Sequence, residues 1–317
     1  MGFKEDIMAD SIRFDGKAVV VTGAGNGLGR TYALQLAERG AKVVVNDLGG
    51  STDGRGDDQS AASRVVEKIL AAGGQAVANF DSVATQAGGA RIIQTALDTW
   101  GRVDAVIANA GILRDRSFSK LSQEEMDIIL DVHLRGTMFT VQPAFNWMRE
   151  NGGGNIVVTA SPSGLFGAFG QANYCAAKLG IVGMMRVMSI EGAKAGIKVN
   201  ALAPTAATRL TATAGMSGEE TEPRTPAEDT MSTGRVSPLV LALAHESCPA
   251  SGEIFNAGCG WVSRAVIAVN EGVVLDDFTP EAVAAQWESI RDTSTLTVPA
   301  DATAYWHMIQ AKTGAAG

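Results

Sequence analysis

From Lys17 to Ala257, short unbroken apolar runs alternate with longer amphipathic patterns, and no other feature of the sequence restricts the fold as much. A run of four to six mostly apolar residues leaves no polar face for solvent, so it reads as a strand covered on both sides. Lys17–Thr22 (KAVVVT), Lys42–Asn46 (KVVVN), Gln75–Phe80, Val103–Asn109, Asn155–Thr159, Lys198–Ala203 and Glu253–Ala257 fit this description. Helical stretches lie between them: Leu28–Arg39 closed by Gly40, Asp58–Ala72 closed by Gly73 and Gly74, one ending before Gly101, a long one across Ser122–Glu150, one carrying Tyr174, and one near Pro238–His245. Strands joined through helices run parallel. The expected fold is α/β, a doubly wound seven-stranded parallel sheet with helices on both faces, in a main domain spanning residues 1–260.

Two stretches break the alternation. Residues 205–235 are rich in Thr, Ser, Gly, Glu and Pro and too long for an ordinary connection, so they are expected to form a mobile lid. Residues 261–317 form a C-terminal extension with an apolar stretch at Ala265–Val269 and a helix start, TPEAVAAQW, near Thr279. It is expected to pack on the domain or on a partner subunit.

The first strand runs directly into Thr22-Gly23-Ala24-Gly25-Asn26-Gly27-Leu28-Gly29 and then into a helix. Glycines in such a turn let the backbone approach a pyrophosphate, whose charge is met by N–H groups at the helix N-terminus. The pattern is GxxxGxG, with Gly23, Gly27 and Gly29; Leu28 and Arg30 stand where a GxGxxG pattern has its last glycine. Asp47 ends the second strand, where a carboxylate accepts hydrogen bonds from both ribose hydroxyls and repels a 2′-phosphate. The expected cofactor is therefore NAD rather than NADP. Asn26 is neutral and adds no charge for a phosphate, whereas Arg55, in the glycine-rich loop that follows Asp47, is a cation within reach of one.

Composition excludes other classes of function. Acidic residues outnumber basic ones, 34 to 26, and no Lys/Arg-rich block offers a stripe for a polynucleotide, so nucleic acid is not an expected partner. Cys175, Cys248 and Cys259 are scattered without CxxC spacing, which points to free thiols in a reducing compartment and no metal site. No apolar run reaches membrane-spanning length and the start, MGFKEDIMADSIRF, has charges where a leader needs an apolar core. Membrane association is not expected and cytoplasm is the expected location.

The chemistry is concentrated in NIVVTASPSGLFGAFGQANYCAAKLG. A strand delivers Ser161 to a turn, and a helix then presents Tyr174 and Lys178 four residues apart, on one face. A phenol titrates near 10, and lowering that value by about three units takes roughly 4 kcal/mol of differential interaction. A lysine ammonium one turn away is the group expected to supply it.

Gly23, Gly27 and Gly29, then Asn109-Ala110-Gly111 after the fourth strand, then Ser161 and the Tyr174/Lys178 pair occur in the order and approximate spacing of the short-chain dehydrogenases/reductases. The chain resembles that family from about Gly16 to Gly260, and the resemblance implies a Rossmann-like oxidoreductase. It implies that Ser161 orients and polarises the substrate oxygen, that Tyr174 exchanges its proton, and that Lys178 holds the nicotinamide ribose. Cofactor contacts are implied for Gly23, Asn26, Gly27, Leu28, Gly29, Asp47, Asp81, Ser82, Asn109, Ala110, Gly111, Tyr174 and Lys178. His133 stands where most members have an active-site Asn, so it joins the catalytic candidates either as part of a proton relay or as a plain helix residue.

A narrower likeness lies in VVVNDLGG, AGILRDRSF, VHLRGT, FGQANYCAAK and HESC, which resemble the hydroxyacyl-CoA dehydrogenase region of type 2 multifunctional enzymes and their bacterial stand-alone relatives. It implies oxidation of a 3-hydroxyacyl-CoA, of fatty or steroid side-chain origin, to the 3-oxoacyl-CoA. Arg209, Arg224 and Arg235 of the lid are candidate partners for CoA phosphates. A free hydroxysteroid or small alcohol is the alternative substrate, and an NAD-binding redox sensor without turnover is the alternative of another class. A homodimer or homotetramer is the assembly implied.

Overall fold

A computed structural model describes residues 12–56, 58–208 and 230–314. The chain divides into two compact units, residues 1–264 and 265–317. In the first, eight strands form one sheet in the order β3-β2-β1-β4-β5-β6-β7-β8. They are β1 (Ala18–Thr22), β2 (Lys42–Asn46), β3 (Gln75–Asn79), β4 (Ala105–Ala108), β5 (Gly154–Thr159), β6 (Ile197–Thr205), β7 (Ile254–Gly258) and β8 (Trp261–Ala265). β1 to β7 pair in parallel, as the alternation of strands and helices requires.

Every residue of β1 and of β4 is buried, the pattern of strands covered on both faces. On one face pack α1 (Gly27–Glu38), α2 (Ser60–Ala71) and α8 (Ser237–Ala244), and a single apolar cluster joins Val19, Val21, Val43 and Val45 to Tyr32, Leu36, Val65 and Val240. α5 (Gly136–Glu150) packs against both α3 (Gln86–Trp100) and α7 (Ala172–Gly192), and Ile92, Ile93, Val141, Met148, Ile181 and Met185 among them are buried. β1 has β2 on one side and β4 on the other, so the winding direction of the sheet reverses there. The crevice at the carboxyl ends of β1 and β4 is the place where open α/β sheets bind ligands.

The stretch expected as one long helix is α4 (Gln123–Leu130), a π-helical turn at Asp131–Arg135, and α5 in unbroken succession. Ser122 caps it: its hydroxyl accepts from Glu125 N at 3.2 Å, and Glu125 accepts from Ser122 N at 3.1 Å. The sheet continues past Gly260, where the extension was expected to begin. A turn at Cys259 (φ 54°) and Gly260 (φ 82°) feeds β8, tied to its surroundings by Arg264 and Glu253 at 3.1 Å and by Asn256 and Ser263 at 3.1 Å. Trp261, Val262 and Arg264 are exposed, so no apolar run announces the eighth strand.

The ends of the expected lid meet where Ala207 N donates to Met231 O at 2.8 Å. Residues 209–229 of that lid, with Arg209 and Arg224, lie outside the described residues, whereas Arg235 ends a short helical turn, Thr233–Arg235. In the second unit, α9 (Pro280–Ala285) begins at Thr279, which accepts from Ala282 N at 3.2 Å, as the sequence led us to expect. α10 (Trp287–Arg291), α11 (Ala302–Thr313) and the antiparallel pair β9 (Val269–Asn270) and β10 (Leu296–Thr297) complete it, and none of its described residues is buried.

Candidate active site

The glycine turn between β1 and α1 is shaped by contacts that leave no room for side chains. A Cβ on Gly23 (φ +63°) would lie 2.8 Å from Ala110 Cα, and one on Gly29 would lie 2.2 Å from Gly23 O. Gly27 also has positive φ, +52°, and among the described residues only Thr208 approaches its open side. Asn26 caps α1 with extended backbone and no side-chain capping bond, and the first turn holds no carboxylate to compete with an anion. These features fit a pyrophosphate.

Thr22 fastens the ends of β1 and β4 together. Its hydroxyl accepts from Asn109 N at 3.0 Å and Ala110 N at 3.1 Å, while Asn109 Nδ2 donates to Thr22 O at 3.0 Å and Gly23 O at 3.2 Å. Asn109, Ala110 and Gly111 are thereby set beside the turn. At the end of β2, Asp47 accepts from Gly25 N at 2.8 Å and Gly49 N at 2.7 Å. A Cβ on Gly25 would lie 2.8 Å from that carboxylate, so glycine lets Asp47 close on the turn. Each carboxylate oxygen keeps a further lone pair for a diol. Asp81 is held by Asn79 at 2.9 Å and Arg91 at 2.7 Å, with Ser82 and Val83 beside it. Gly23, Asn26, Gly27, Asp47, Asp81 and Asn109–Gly111 line a cleft with about 1060 Å³ of empty space, and Gly29 lies behind that lining. Arg55 does not belong to that lining; its exposed side chain pairs with Asp53 at 3.4 Å.

A second cleft opens from the first, the two sharing Leu28, Asn109, Gly111 and Thr208, and Ser161, Tyr174, Lys178 and His133 line it together. Ser161 leaves β5, caps α6 (Pro162–Phe166) by accepting from Ser163 N at 3.2 Å, and faces the same cleft as Tyr174. Buried Lys178 donates to Thr159 O at 2.6 Å, and its ammonium lies against the Tyr174 ring, 5.6 Å from the centroid. Burial pulls Lys178 down to about 7. Burial also raises Tyr174 above the usual phenol value, with Ser161 acting in the other direction and Cys175 and Asp115 adding to the rise. This is opposite to the expected direction for Tyr174: desolvation is the largest cause, and the lysine, which donates to a backbone carbonyl beside the ring, is not among the groups that shift it.

His133 sits in the π-helical turn, 2 % exposed. Its Nε2 lies 2.8 Å from Ile112 O and 3.1 Å from Ile112 N, Nδ1 has no partner among the described residues, and the ring meets Tyr174 edge-on at 5.1 Å. Burial and the Lys178 charge lower it well below the usual imidazole value, so the ring is neutral. Gly111 is required here, because a Cβ would lie 2.4 Å from His133 Cε1.

Sequence reasoning missed three positions. Asn173, fully buried, donates to Arg114 O at 3.0 Å and Glu125 O at 3.1 Å and accepts from Tyr174 N at 2.8 Å, fixing the turn that presents the phenol. Gln171 lines the second cleft with Nε2 on Asp115 at 2.9 Å and Oε1 buried without a partner among the described residues. Thr22 is the third. An Asn next to the key Tyr was the available signal for the first; nothing in the sequence marks the other two.

A family model described as short chain dehydrogenase matches residues 17–221. The chain is 48% identical over 279 residues to a putative short-chain type dehydrogenase/reductase of Mycobacterium tuberculosis, covering 88% of this chain and 95% of that one. It therefore belongs to the short-chain dehydrogenase family, a family of oxidoreductases that use NAD or NADP. Among solved structures it superposes on a short chain dehydrogenase from Mycobacterium avium with TM-score 0.74 and 38% identity, covering 87% of this chain and 95% of that one. It is also 48% identical over 296 residues to mouse peroxisomal multifunctional enzyme type 2, covering 92% of this chain and 39% of that protein. The structure of the full-length Drosophila melanogaster multifunctional enzyme matches with TM-score 0.77 and 35% identity, over 94% of this chain and 50% of that one. The chain thus spans about half, or less, of these longer relatives.

Proposed function

We propose that the protein oxidises a 3-hydroxyacyl-CoA to the 3-oxoacyl-CoA with NAD, and that Ser161, Tyr174 and Lys178 carry the proton chemistry. The observation that carries this is the convergence of the three side chains in a cleft continuous with one shaped for a dinucleotide. The bound nicotinamide supplies the hydride acceptor. Tyr174 first releases its own proton along the path that Lys178 completes, then as phenolate takes the proton of the substrate hydroxyl, while Ser161 holds that oxygen through its own hydroxyl. Both carboxylate oxygens of Asp47 are already fixed by backbone N–H groups, which supports preorganised ribose recognition and a preference for NAD. The acyl-CoA substrate rests on the multifunctional-enzyme likeness, and family habit supports a homodimer or homotetramer.

No helix among the described residues is long and apolar enough to cross a membrane. Cytoplasm is the proposed location, supported by three free cysteines. The test compares kcat/KM for a 3-hydroxyacyl-CoA and the matching free hydroxy acid, each with NAD and with NADP. The expected result is that the ester exceeds the acid at least a hundredfold, because remote binding energy positions the reacting carbon, and that NAD exceeds NADP. Equal values for ester and acid would return the substrate to a hydroxysteroid or small alcohol.

A further inference from the structure

The segment Ile112–Arg116 touches both clefts. Its Ile112 backbone meets His133, Arg114 O accepts from Asn173, Asp115 accepts from Gln171 and Arg116 N donates to Gly170 O at 2.7 Å. On its other side lies a strap, residues 48–56, between β2 and α2. Leu48, Gly50, Ser51, Thr52 and Gly54 of the strap form one wall of the dinucleotide cleft. Ser51 braces it from within, its N–H and hydroxyl both reaching Arg55 O, at 2.7 and 2.9 Å.

Two hydrogen bonds join strap to segment. Leu113 N donates to Thr52 O at 2.9 Å, and Arg114 Nε donates to Asp53 O at 3.0 Å. The Arg114 side chain is 16% exposed, and its Nη1 reaches Glu124 at 3.4 Å. The contact is close elsewhere too: Gly54 has φ +85°, and a Cβ there would lie 2.9 Å from Ile112 Cδ1. The left-handed backbone at Gly54 favours glycine where the strap lies against Ile112.

We infer that Arg114 is a positioning residue that latches the strap over the dinucleotide cleft, holding that wall to the segment that also seats Tyr174 through Asn173. Its side chain addresses the strap and its carbonyl addresses the catalytic helix. A substitution that keeps the backbone therefore loosens the cofactor wall and leaves the Asn173 bond in place. The inference about affinity rests on the dinucleotide reading above; the strap geometry does not.

Two readouts separate them. Hydrogen exchange of the strap amides, taken without cofactor, should quicken at least tenfold in Arg114→Ala and return most of the way in Arg114→Lys, which keeps a cationic donor. NADH titration by fluorescence should show Kd rising about tenfold in Arg114→Ala, equivalent to ~1.4 kcal/mol. KM for the dinucleotide should rise alike, with kcat within about twofold of the unmutated value. Gly54→Ala, strained at φ +85°, should raise Kd similarly, and the double variant should add little to either single one because both loosen the same strap. Unchanged strap exchange and unchanged Kd in a folded Arg114→Ala protein would overturn the latch. A faster strap in a protein whose unmutated form binds neither NADH nor NADPH would instead overturn the dinucleotide reading, with the latch standing as strap geometry alone.

Discussion

Burial sets the charge of the side chains that line the second cleft and ties it to stability. Lys178 falls from an ordinary 10.5 to about 7 because the charged form loses its water. Between those pH values the unfolded chain holds a proton that the folded chain has released, so stability rises with pH there, by at most ~1.4 kcal/mol per unit mid-window. His133 acts in the same sense at lower pH. Its value is depressed well below 6.5, so the unfolded state takes up a proton first and stability falls as pH drops through 6.5. Chemical denaturation at intervals from pH 5 to 9.5 should show both slopes. The upper slope should flatten in Lys178→Met and the lower in His133→Asn; unaltered slopes in both variants would contradict the burial account. Ser161, Tyr174 and Lys178 were legible in the sequence because their order and spacing are themselves the signal. The direction of the Tyr174 shift was not, since it depends on where the ammonium points and how dry the ring is, and neither follows from a four-residue spacing.

At the scale of elements, the π-helical turn at Asp131–Arg135 determines what His133 does. It places the imidazole against both Ile112 and Tyr174, within an otherwise continuous helix. His133→Asn offers an amide to the Ile112 backbone, whereas His133→Ala leaves that buried N–H and carbonyl with no side-chain partner and a gap beside the phenol ring. We expect His133→Ala to lose ~2–3 kcal/mol of stability and at least tenfold in kcat, and His133→Asn to lose less of each, by thermal unfolding and steady-state rates. Equal losses in the two variants would leave His133 a space-filling residue. The long helix was readable from its apolar period, and its start from Ser122 and Glu125. The π-turn was not, because one widened turn of five residues leaves the period on either side intact. β8 escaped for the opposite reason: its exposed Trp261, Val262 and Arg264 carry no core-facing pattern, and the turn at Cys259 and Gly260 makes it a strand.

For the molecule as a whole, the parallel sheet brings Gly23, Asp47, Asn109 and Ser161 to one end although they are far apart in sequence. Each follows or ends a strand whose carboxyl end lies at that edge. Doubly wound topology was legible because seven apolar runs and the helices between them admit little else. The contacts that couple the two clefts, Thr22 to Asn109 and Arg114 to Asp53, arise between turns and carry no periodicity. The central claim is that one continuous site pairs a dinucleotide with a substrate hydroxyl whose proton passes to Tyr174. The most direct test is NADH formation at 340 nm from a 3-hydroxyacyl-CoA and NAD, run in parallel on the unmutated protein and on Tyr174→Phe, with NADH affinity measured on both. The predicted result is turnover in the unmutated protein that falls by at least a thousandfold in Tyr174→Phe, with NADH affinity unchanged within about twofold, since only the proton-exchanging hydroxyl is removed. A Tyr174→Phe protein that binds NADH and turns over at close to the unmutated rate would contradict it.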